Sequence, residues 1–431
     1  MGTHLDRSAS IDLSDNATFA RGFPHEHFTW ARAHAPIYWH EPTPVTPDGE
    51  GFWVMSRHED AMAIMLDPGT FSSDKGGGRT AGGTGLHDEY QAGKFLNWTD
   101  DPRHKRLRSL VNKGFTNRAI HDLEAELRRR TVALIEALPE NEPFDFVERF
   151  SRDLPLQAIC LLLGVPQEDR AQLAAWVDAG VAAPTPEIIA RDYAWRLRDY
   201  GTSLIARKRR NLTDDIMSTI IRAQLEPGED GSDGGPLTDD ELLNFFMLLF
   251  PAGAETTRSA IAGGLQALIK LPEQLERLRT AGIAEMRLAV DEVLRWTTPS
   301  IHKRRTATRD VNYKGHRIKA GDKVTYWEMS ANRDAAVFDD PFRFDIARSP
   351  NRHVAFGFGA HVCLGASLAR MEIRLAFAEL LARIEIFTPE GPIEWMPSNR
   401  LLGIRQMPLS IKFRSGSRTT PVSTRPQNTV K

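Results

Sequence analysis

The feature that most constrains the fold of this chain is one long apolar helix, predicted between Thr238 and Ile269. Residues 238–241, TDDE, have the pattern of a capping box and place acidic side chains where the helix dipole favours them. Apolar residues continue to about Ile269, and Pro272 follows. About 32 residues extend ~48 Å at a rise of 1.5 Å per residue, which is long enough to cross an entire domain.

The middle of this helix, LLFPAGAETT, interrupts the apolar pattern. Pro251 removes a backbone donor, and Gly253 weakens helix propensity. Glu255 and Thr256 bring polar groups into an apolar stretch. Two explanations are open. Either a bent core helix has its Thr256 hydroxyl bonded back to a carbonyl, or the helix opens locally where an acid and a hydroxyl face a small ligand.

Helical periodicity also dominates the rest of the chain, with predicted helices over residues 117–138, 154–164, 166–181 and about 186–210. Two short β regions are predicted, a hairpin formed by PIYWHE and GFWVMSR and a later run, HRIKAGDKVTYW. The glycine-rich segment 76–93 predicts a mobile loop, and GEDGSDGGP a second loop. We therefore expect one mainly α domain with small β-sheets over residues 1–415, followed by a disordered tail over 416–431.

Composition excludes several classes of protein. The 55 basic and 57 acidic side chains nearly cancel, so no overall field favours nucleic acid or a membrane surface. The N-terminus has no apolar signal region, and no apolar run approaches the ~20 residues needed to span a bilayer. Two cysteines cannot form a disulfide framework, which is typical of a reducing interior. These observations predict a soluble cytoplasmic protein.

The two cysteines differ in their surroundings. Cys160 lies in LPLQAICLLLGV and is interpreted as a small buried hydrophobe. Cys363 lies in FGFGAHVCLG, directly before a helix predicted from about Leu364, where unpaired amides favour thiolate. A zinc site would need more ligands than His353 and His361 supply, and a cysteine protease would need a base that nothing local identifies. Iron in a flat macrocycle needs only one protein ligand, and that option explains the glycines.

The pattern Phe356-x-x-Gly359-x-x-x-Cys363-x-Gly365 resembles the heme-binding signature of the cytochrome P450 family. Other marks of the family follow the family's order from about residue 22 to 411. They are the oxygen-activating motif AGAETT at 252–257, the Glu-x-x-Arg pair Glu292 and Arg295, the His-x-x-x-Arg pair His104 and Arg108, the arginine of RRTATRD, Arg305, the histidine His361, and the segment ANRDAAVFDDPFRFD.

The resemblance implies a mainly α fold with heme b between the long central helix and the helix after Cys363. It also implies a monooxygenase that inserts one atom of O2 into a hydrophobic small molecule of the steroid, terpenoid or fatty-acyl type. Cys363 would be the axial thiolate, with Phe356 and Gly357 beside it. Thr256 would hydrogen-bond dioxygen and Glu255 would help to deliver protons, in room left by the Pro251–Gly253 kink.

The remaining implied residues surround the cofactor and the substrate. His104, Arg108, Arg305 and His361 would balance the heme propionates, because charge-assisted bonds stabilise buried carboxylates. Glu292 and Arg295 would form a structural network rather than a catalytic pair. An apolar substrate pocket is expected from five side chains: Phe246, Leu249, Ala252, Ile301 and Leu401.

Electrons would come from NAD(P)H through a separate ferredoxin and its reductase, since the chain ends soon after the heme helix. Basic residues near the heme motifs, Arg103, Lys105, Arg106 and Arg352, are candidates for the docking surface. Two alternatives have different chemistry: a peroxide-dependent or redox-neutral heme-thiolate enzyme, and a non-catalytic heme sensor. Neither requires the Glu255–Thr256 pair.

Overall fold

Thirteen α-helices dominate the part of the chain described by the structure, a computed structural model that covers residues 11–181, 188–228 and 234–418. The helices are α1 (His25–His34), α2 (His58–Leu66), α3 (Arg103–Asn112), α4 (Asn117–Glu136), α5 (Asp153–Leu163), α6 (Arg170–Val181), α7 (Ile188–Arg210), α8 (Ile216–Arg222), α9 (Asp239–Lys270), α10 (Pro272–Arg279), α11 (Ile283–Thr297), α12 (Glu328–Ala331) and α13 (Ala366–Arg383).

The strands form small sheets beside the helices. They are β1 (Ile37–His40), β2 (Phe52–Met55), β3 (Phe71–Ser72), β4 (Phe144–Asp145), β5 (Gln224–Leu225), β6 (Gly235–Pro236), β7 (Lys303–Ala307), β8 (Val311–Tyr313), β9 (His316–Ile318), β10 (Lys323–Tyr326), β11 (Ile384–Pro389), β12 (Glu394–Trp395), β13 (Ile404–Gln406) and β14 (Pro408–Phe413). The largest sheet has the order β1-β2-β10-β7-β3, in which only β2 and β10 pair in parallel. The predicted hairpin is confirmed as the antiparallel pair β1 and β2.

Helix α9 is the 32-residue central helix that the sequence predicts. Its capping box is complete, because the Thr238 hydroxyl accepts from the Glu241 amide and the Glu241 carboxylate accepts from the Thr238 amide. The helix continues through Pro251 and packs against α5, α7, α11 and α13. Its burial against four helices stabilises a segment that contains proline and glycine in its interior.

Two large hydrophobic clusters meet along α9. Residues from Leu242 to Ala254 belong to one cluster with α5, α7 and α8, and residues from Ala260 to Leu268 belong to the other with α11 and α13. The polar stretch 255–259 lies between them. The polar residues that interrupt the apolar pattern therefore stand at the junction of two cores.

Two local predictions need correction. The helix predicted over 166–181 begins as α6 only at Arg170, after a short turn of 3-10 helix over residues 167–169. The glycine-rich segment 76–93 is a loop, as predicted, but ion pairs hold it: Arg79 donates to Glu50 and Asp88, and Asp88 also accepts from Arg304. Of the predicted tail, residues 419–431 lie outside the described residues, so the domain limits stay a prediction.

Candidate active site

The Cys363 loop, residues 356–365, joins the segment after α12 to the start of α13. Its backbone turns sharply at Gly357 and Gly359, whose φ angles of 66° and 73° lie in the left-handed region that side chains disfavour. The Cys363 amide donates to the Phe356 carbonyl at 2.8 Å and closes the loop. The guanidinium of Arg370 lies 4.6 Å from the centre of the Phe356 ring. These contacts fix the position of the sulfur just before α13.

The Cys363 sulfur faces an interior space. Its side chain is exposed, yet burial raises the pKa of the thiol, and the two facts agree if the exposed surface belongs to an internal cavity. The Gly365 amide donates to the sulfur and, with the charge of Arg108, lowers that pKa in opposition to burial. A Cβ at Gly365 would meet nothing within 4 Å. The loop thus has an accessible sulfur at Cys363 and unfilled space beside Gly365.

Four basic side chains converge beside this sulfur. The rings of His104 and His361 lie 4.1 Å apart between centroids, and Arg108 donates to the carbonyl of Val362 at 2.6 Å. Burial, followed by the charges of Arg305, His104 and Arg108, lowers the pKa of His361 to about 2. The structure therefore brings together the four residues that the sequence assigns to one cluster.

This cluster fits a buried anion. The Nε2 atom of His104 is buried without a hydrogen-bond partner, although Nδ1 contacts Asp101 at 3.2 Å. Within the described residues, neither Arg108 nor Arg305 forms an ion pair with a carboxylate, and Arg305 is 5% exposed. Buried cations without acidic partners are costly unless an anion joins them. Together with one accessible sulfur, the donor set fits heme, which carries two carboxylates and takes one axial ligand.

The middle of α9 presents a row of accessible positions. Leu248 and Thr256 are half-buried and Ala252 is exposed, at a spacing of four residues along a helix that crosses the core. The Thr256 hydroxyl donates to the Ala252 carbonyl at 3.0 Å, so the back-bonded arrangement is present. Gly253 does not leave open room, because a Cβ there would lie 2.9 Å from Ile159 of α5. Gly253 itself thus provides no room for dioxygen, since Ile159 takes that space, and room elsewhere at the Pro251–Gly253 kink stays a prediction.

Glu255 lies next to this row and is the acid of the pair. Burial raises the pKa of its carboxyl, and the charges of Arg258 and Arg400 lower it in opposition. The hydroxyl of Tyr193 on α7 is buried, has no hydrogen-bond partner among the described residues, and interacts electrostatically with Glu255. A carboxyl with a raised pKa holds its proton more tightly than an exposed glutamate and can serve as a proton donor.

The five predicted pocket residues divide into two groups. Ala252 and Leu401 keep accessible surface. Phe246 and Ile301 are fully buried, Phe246 stacking on Phe250 at 5.7 Å, so these two pack the core instead of lining accessible space. Leu249 is 8% exposed. Helical spacing from Ala252 identifies Leu248, which the sequence prediction missed, and excludes Phe246, which lies on another face of α9.

Glu292 and Arg295 form a fully buried bidentate ion pair with two contacts of 2.7 Å. Arg295 also donates to carbonyls of residues 332, 341 and 343, and Glu292 accepts from the Asp345 amide at 2.9 Å. The pair thus links α11 to the segment before the Cys363 loop. Every charged atom of the pair has a partner, as a buried pair requires.

A helical fold around a cysteine-bearing loop, with a basic cluster that fits two carboxylates, has the features of a heme-thiolate protein. The family profile "Cytochrome P450" matches residues 167–413. A Mycobacterium tuberculosis protein named cytochrome P450 126 is 47% identical over 410 residues, which are 94% of this chain and 98% of that protein. The chain belongs to the cytochrome P450 family.

A second related enzyme and a solved structure support the same family assignment. The steroid C26-monooxygenase of Mycobacterium tuberculosis is 37% identical over 405 residues, 92% of this chain and 91% of that enzyme. The structure of a Mycobacterium marinum cytochrome P450 in complex with pseudoionone matches with a TM-score of 0.84 and 32% identity, over 93% of this chain and 98% of that chain. The predicted family, fold and enzyme class are confirmed: this is a P450 monooxygenase that depends on heme and O2. No helix in the described ranges is long and apolar enough to cross a membrane.

Proposed function

We propose that this enzyme hydroxylates hydrophobic molecules of the steroid, terpenoid or fatty-acyl type, with electrons from NAD(P)H through a ferredoxin and its reductase. We also propose a cytoplasmic location, because a buried Cys160 thiol and a functional Cys363 thiol suit a reducing compartment. The observation that carries the proposal is that Cys363 and the row Leu248, Ala252 and Thr256 all keep accessible surface in a chain of the cytochrome P450 family.

Cys363 would hold the heme iron, and the heme when bound supplies the activation of O2 for insertion into a C–H bond. The Gly365 amide bonds the sulfur and so stabilises its anionic form. His104, Arg108, Arg305 and His361 would bind the two propionates, which accounts for two arginines without acidic partners and for the orphaned Nε2 atom of His104. Phe356 and Gly357 shape the loop around the sulfur.

Thr256 would act as a hydrogen-bond acceptor. A hydroxyl has one donor and two acceptor positions, and the donor is used by the Ala252 carbonyl. The oxygen lone pairs of Thr256 therefore remain for a water molecule or another donor in the cavity. This role refines the expected contact with dioxygen, because the threonine would orient a proton donor beside it.

Glu255 would move protons between solvent and the cavity. Its carboxyl is pushed toward the neutral form by burial, while Arg258 and Arg400 favour the ionised form. The net effect raises the pKa of this carboxyl, which favours its protonated form more than in an exposed glutamate. Glu292 and Arg295 touch neither the sulfur nor the Thr256 row and would hold the loop scaffold in position.

The proposed ferredoxin surface is the outer side of the Cys363 loop together with the residues around it. Phe358 is 47% exposed, and Leu66 is 56% exposed close to Gly359. Lys105 and Arg352 are exposed, whereas Arg103 is bound to Glu241 and Arg106 donates to the Glu226 carbonyl. An exposed apolar area with exposed cations nearby suits a small acidic protein, because complementary charge accelerates association.

The substrate proposal rests on the apolar row of α9 and on two relatives. One relative is named for steroid oxidation, and the other was solved with pseudoionone, an apolar ketone. Steroids, terpenoids and fatty-acyl compounds should be screened for displacement of water from the heme iron, read as a shift of the Soret band. Binders are then tested for product with NADH, ferredoxin and reductase. Binding without any oxygenated product would contradict the proposal.

The partner is tested separately by replacing Lys105 and Arg352 with glutamate. We expect slower reduction by ferredoxin at low salt and a smaller salt dependence, with reduction by dithionite unchanged. Lys319→Glu, on an exposed turn after β9, is the matched control for added negative charge. Equal rates for the double variant and this control would place the docking surface elsewhere.

A further inference from the structure

Lys303 begins strand β7 and sits beside the turn that carries Leu401. Residues Ser300 and Leu401 form an antiparallel bridge, and the Ile301 amide donates to the Arg400 carbonyl at 3.2 Å. The Lys303 ammonium donates to the Ser300 hydroxyl. Lys303 thus contacts Ser300, whose bridge partner Leu401 keeps accessible surface.

The strand places Lys303 on the same side as Arg305. The register of β7 against β10 runs without a bulge from Thr306 to Lys303, so residues two apart point the same way. Lys303 keeps part of its surface accessible, yet burial lowers the pKa of its ammonium. Cys363 likewise combines accessible surface with a pKa that burial shifts toward the neutral form. The charge of Cys363 also acts on it. Lys303 therefore faces the interior cavity.

Lys303 has no acidic partner in contact. Within the described residues, no carboxylate lies within 4 Å of its ammonium, although Glu328 acts on it from farther away. Burial raises the pKa of Glu328 and so favours its neutral form, whereas the charges of Lys303 and Arg305 favour the ionised form. The charge of Arg400 adds to that of Lys303. Beyond the four residues that would balance two propionates, Lys303 and Arg400 thus add two basic groups to this region.

We propose that Lys303, with Arg400 beside it, binds a carboxylate at one end of an otherwise apolar substrate. The inference rests on the proposed function and adds the polar group that the substrate carries. Lys303 would donate a charge-assisted hydrogen bond, and Ser300 would orient the ammonium. Leu248 and Ala252 on α9 offer the apolar surface for the rest of the molecule. The carboxylate end is held while a distant carbon is oxidised.

The test compares acids with their matched alcohols in purified, heme-loaded enzyme. The probes are dodecanoate against dodecan-1-ol, and a bile acid against its C24 alcohol, each titrated by the shift of the Soret band. We expect the wild type to bind each acid about tenfold or more tightly than its alcohol. Lys303→Met should remove this preference and leave affinity for the alcohols unchanged. Lys319→Met, the same change on an exposed side chain, should behave as the wild type.

Two outcomes would overturn the inference. One is a wild type that fails to prefer the acids in either pair. The other is a preference that survives in Lys303→Met. In that second case, faster loss of hemin to apomyoglobin from the variant would assign Lys303 to a carboxylate of the cofactor instead. The reduced carbon monoxide complex separates these results from failure of the proposed function: its red-shifted Soret band reports the thiolate ligand whatever acid is bound.

Discussion

The Cys363 loop and the middle of α9 contribute to the same site in opposite ways. The loop contains only a turn of 3-10 helix over Gly359–His361, two of its glycines have positive φ angles, and the Gly365 amide donates to the sulfur. Helix α9 continues through Pro251 and presents Glu255 and Thr256 as side chains between two hydrophobic clusters. The loop depends on its backbone and one sulfur, whereas the helix depends on several separable side chains.

This difference predicts different patterns of failure. Because the loop contributes one essential atom, the Cys363 sulfur, replacing that atom should abolish heme-thiolate ligation completely. A helix that presents an acid, a hydroxyl and a packing glycine should lose three functions separately, because each side chain has its own partners. Four substitutions measure these losses.

The largest effect is expected at the loop sulfur. Cys363→Ser should abolish the red-shifted Soret band of the reduced carbon monoxide complex, because a neutral hydroxyl cannot replace the thiolate. Cys160→Ser is the matched control. Its side chain is 0% exposed in the α5 core, so the change should cost about 1–3 kcal/mol of stability and leave the band intact. A normal band in Cys363→Ser would refute the ligand assignment.

The next effect concerns the acid of the helix. Glu255→Gln should slow turnover by roughly 10²–10⁴-fold, as expected for loss of an acid–base group, with the Soret band retained. Glu255→Asp keeps an ionisable group and should recover part of the rate. Turnover within a factor of about two of the wild type would remove Glu255 from the proton route.

The same variant has a pH signature in stability. Because burial raises the pKa of Glu255, the folded chain keeps this proton more tightly than the unfolded chain. Above the ordinary glutamate pKa, ionisation of Glu255 therefore opposes folding. As the pH rises above the ordinary glutamate pKa of the unfolded chain, Glu255→Gln should become more heat-stable relative to the wild type. The difference should stop growing once the pH exceeds the raised pKa of Glu255 in the folded chain. A gain that grows on acidification would have the wrong sign.

The sequence predicted the loop better than the helix. Glycine spacing around Cys363 is a local pattern, and the structure has positive φ at two of those glycines. The extent and cap of α9 were also predictable, because capping and apolar length act within one segment. Which face of α9 meets the cavity depends on the helices packed against it. The spacing of Leu248, Ala252 and Thr256 suggests that face only once one member is known.

Other features could not be found from one sequence. The role of Gly253 depends on Ile159, which lies on another helix. Lys303 looks like an ordinary strand residue in the sequence, and its surroundings are known only once the turn at Leu401 and the buried Glu328 are placed around it. Long-range packing decides both cases, and local propensity carries no information about it.

A smaller effect is expected at the hydroxyl. Thr256→Ala should leave ligand binding and NADH consumption largely intact but lower the ratio of product to NADH, with peroxide released instead. The matched control is Thr297→Ala on α11, whose hydroxyl makes the same kind of back-bond, to the Val293 carbonyl at 2.8 Å. An unchanged ratio of product to NADH in Thr256→Ala would show that the hydroxyl only bonds back to the helix, a contact that contributes at most about 1–3 kcal/mol to stability.

The smallest effect separates packing from oxygen access at Gly253. An added methyl would lie 2.9 Å from Ile159, closer than side chains tolerate, so Gly253→Ala should lower the free energy of unfolding by about 1–2 kcal/mol. The gain in helix propensity, about 1 kcal/mol, partly offsets this cost. In an Ile159→Ala background the clash is gone, and the same substitution should become stabilising by about 1 kcal/mol. Urea unfolding of the four proteins measures this change of sign, and the ratio of product to NADH should stay constant in Gly253→Ala. If Gly253 instead kept space for dioxygen, the ratio would fall and the stability effect would not depend on Ile159.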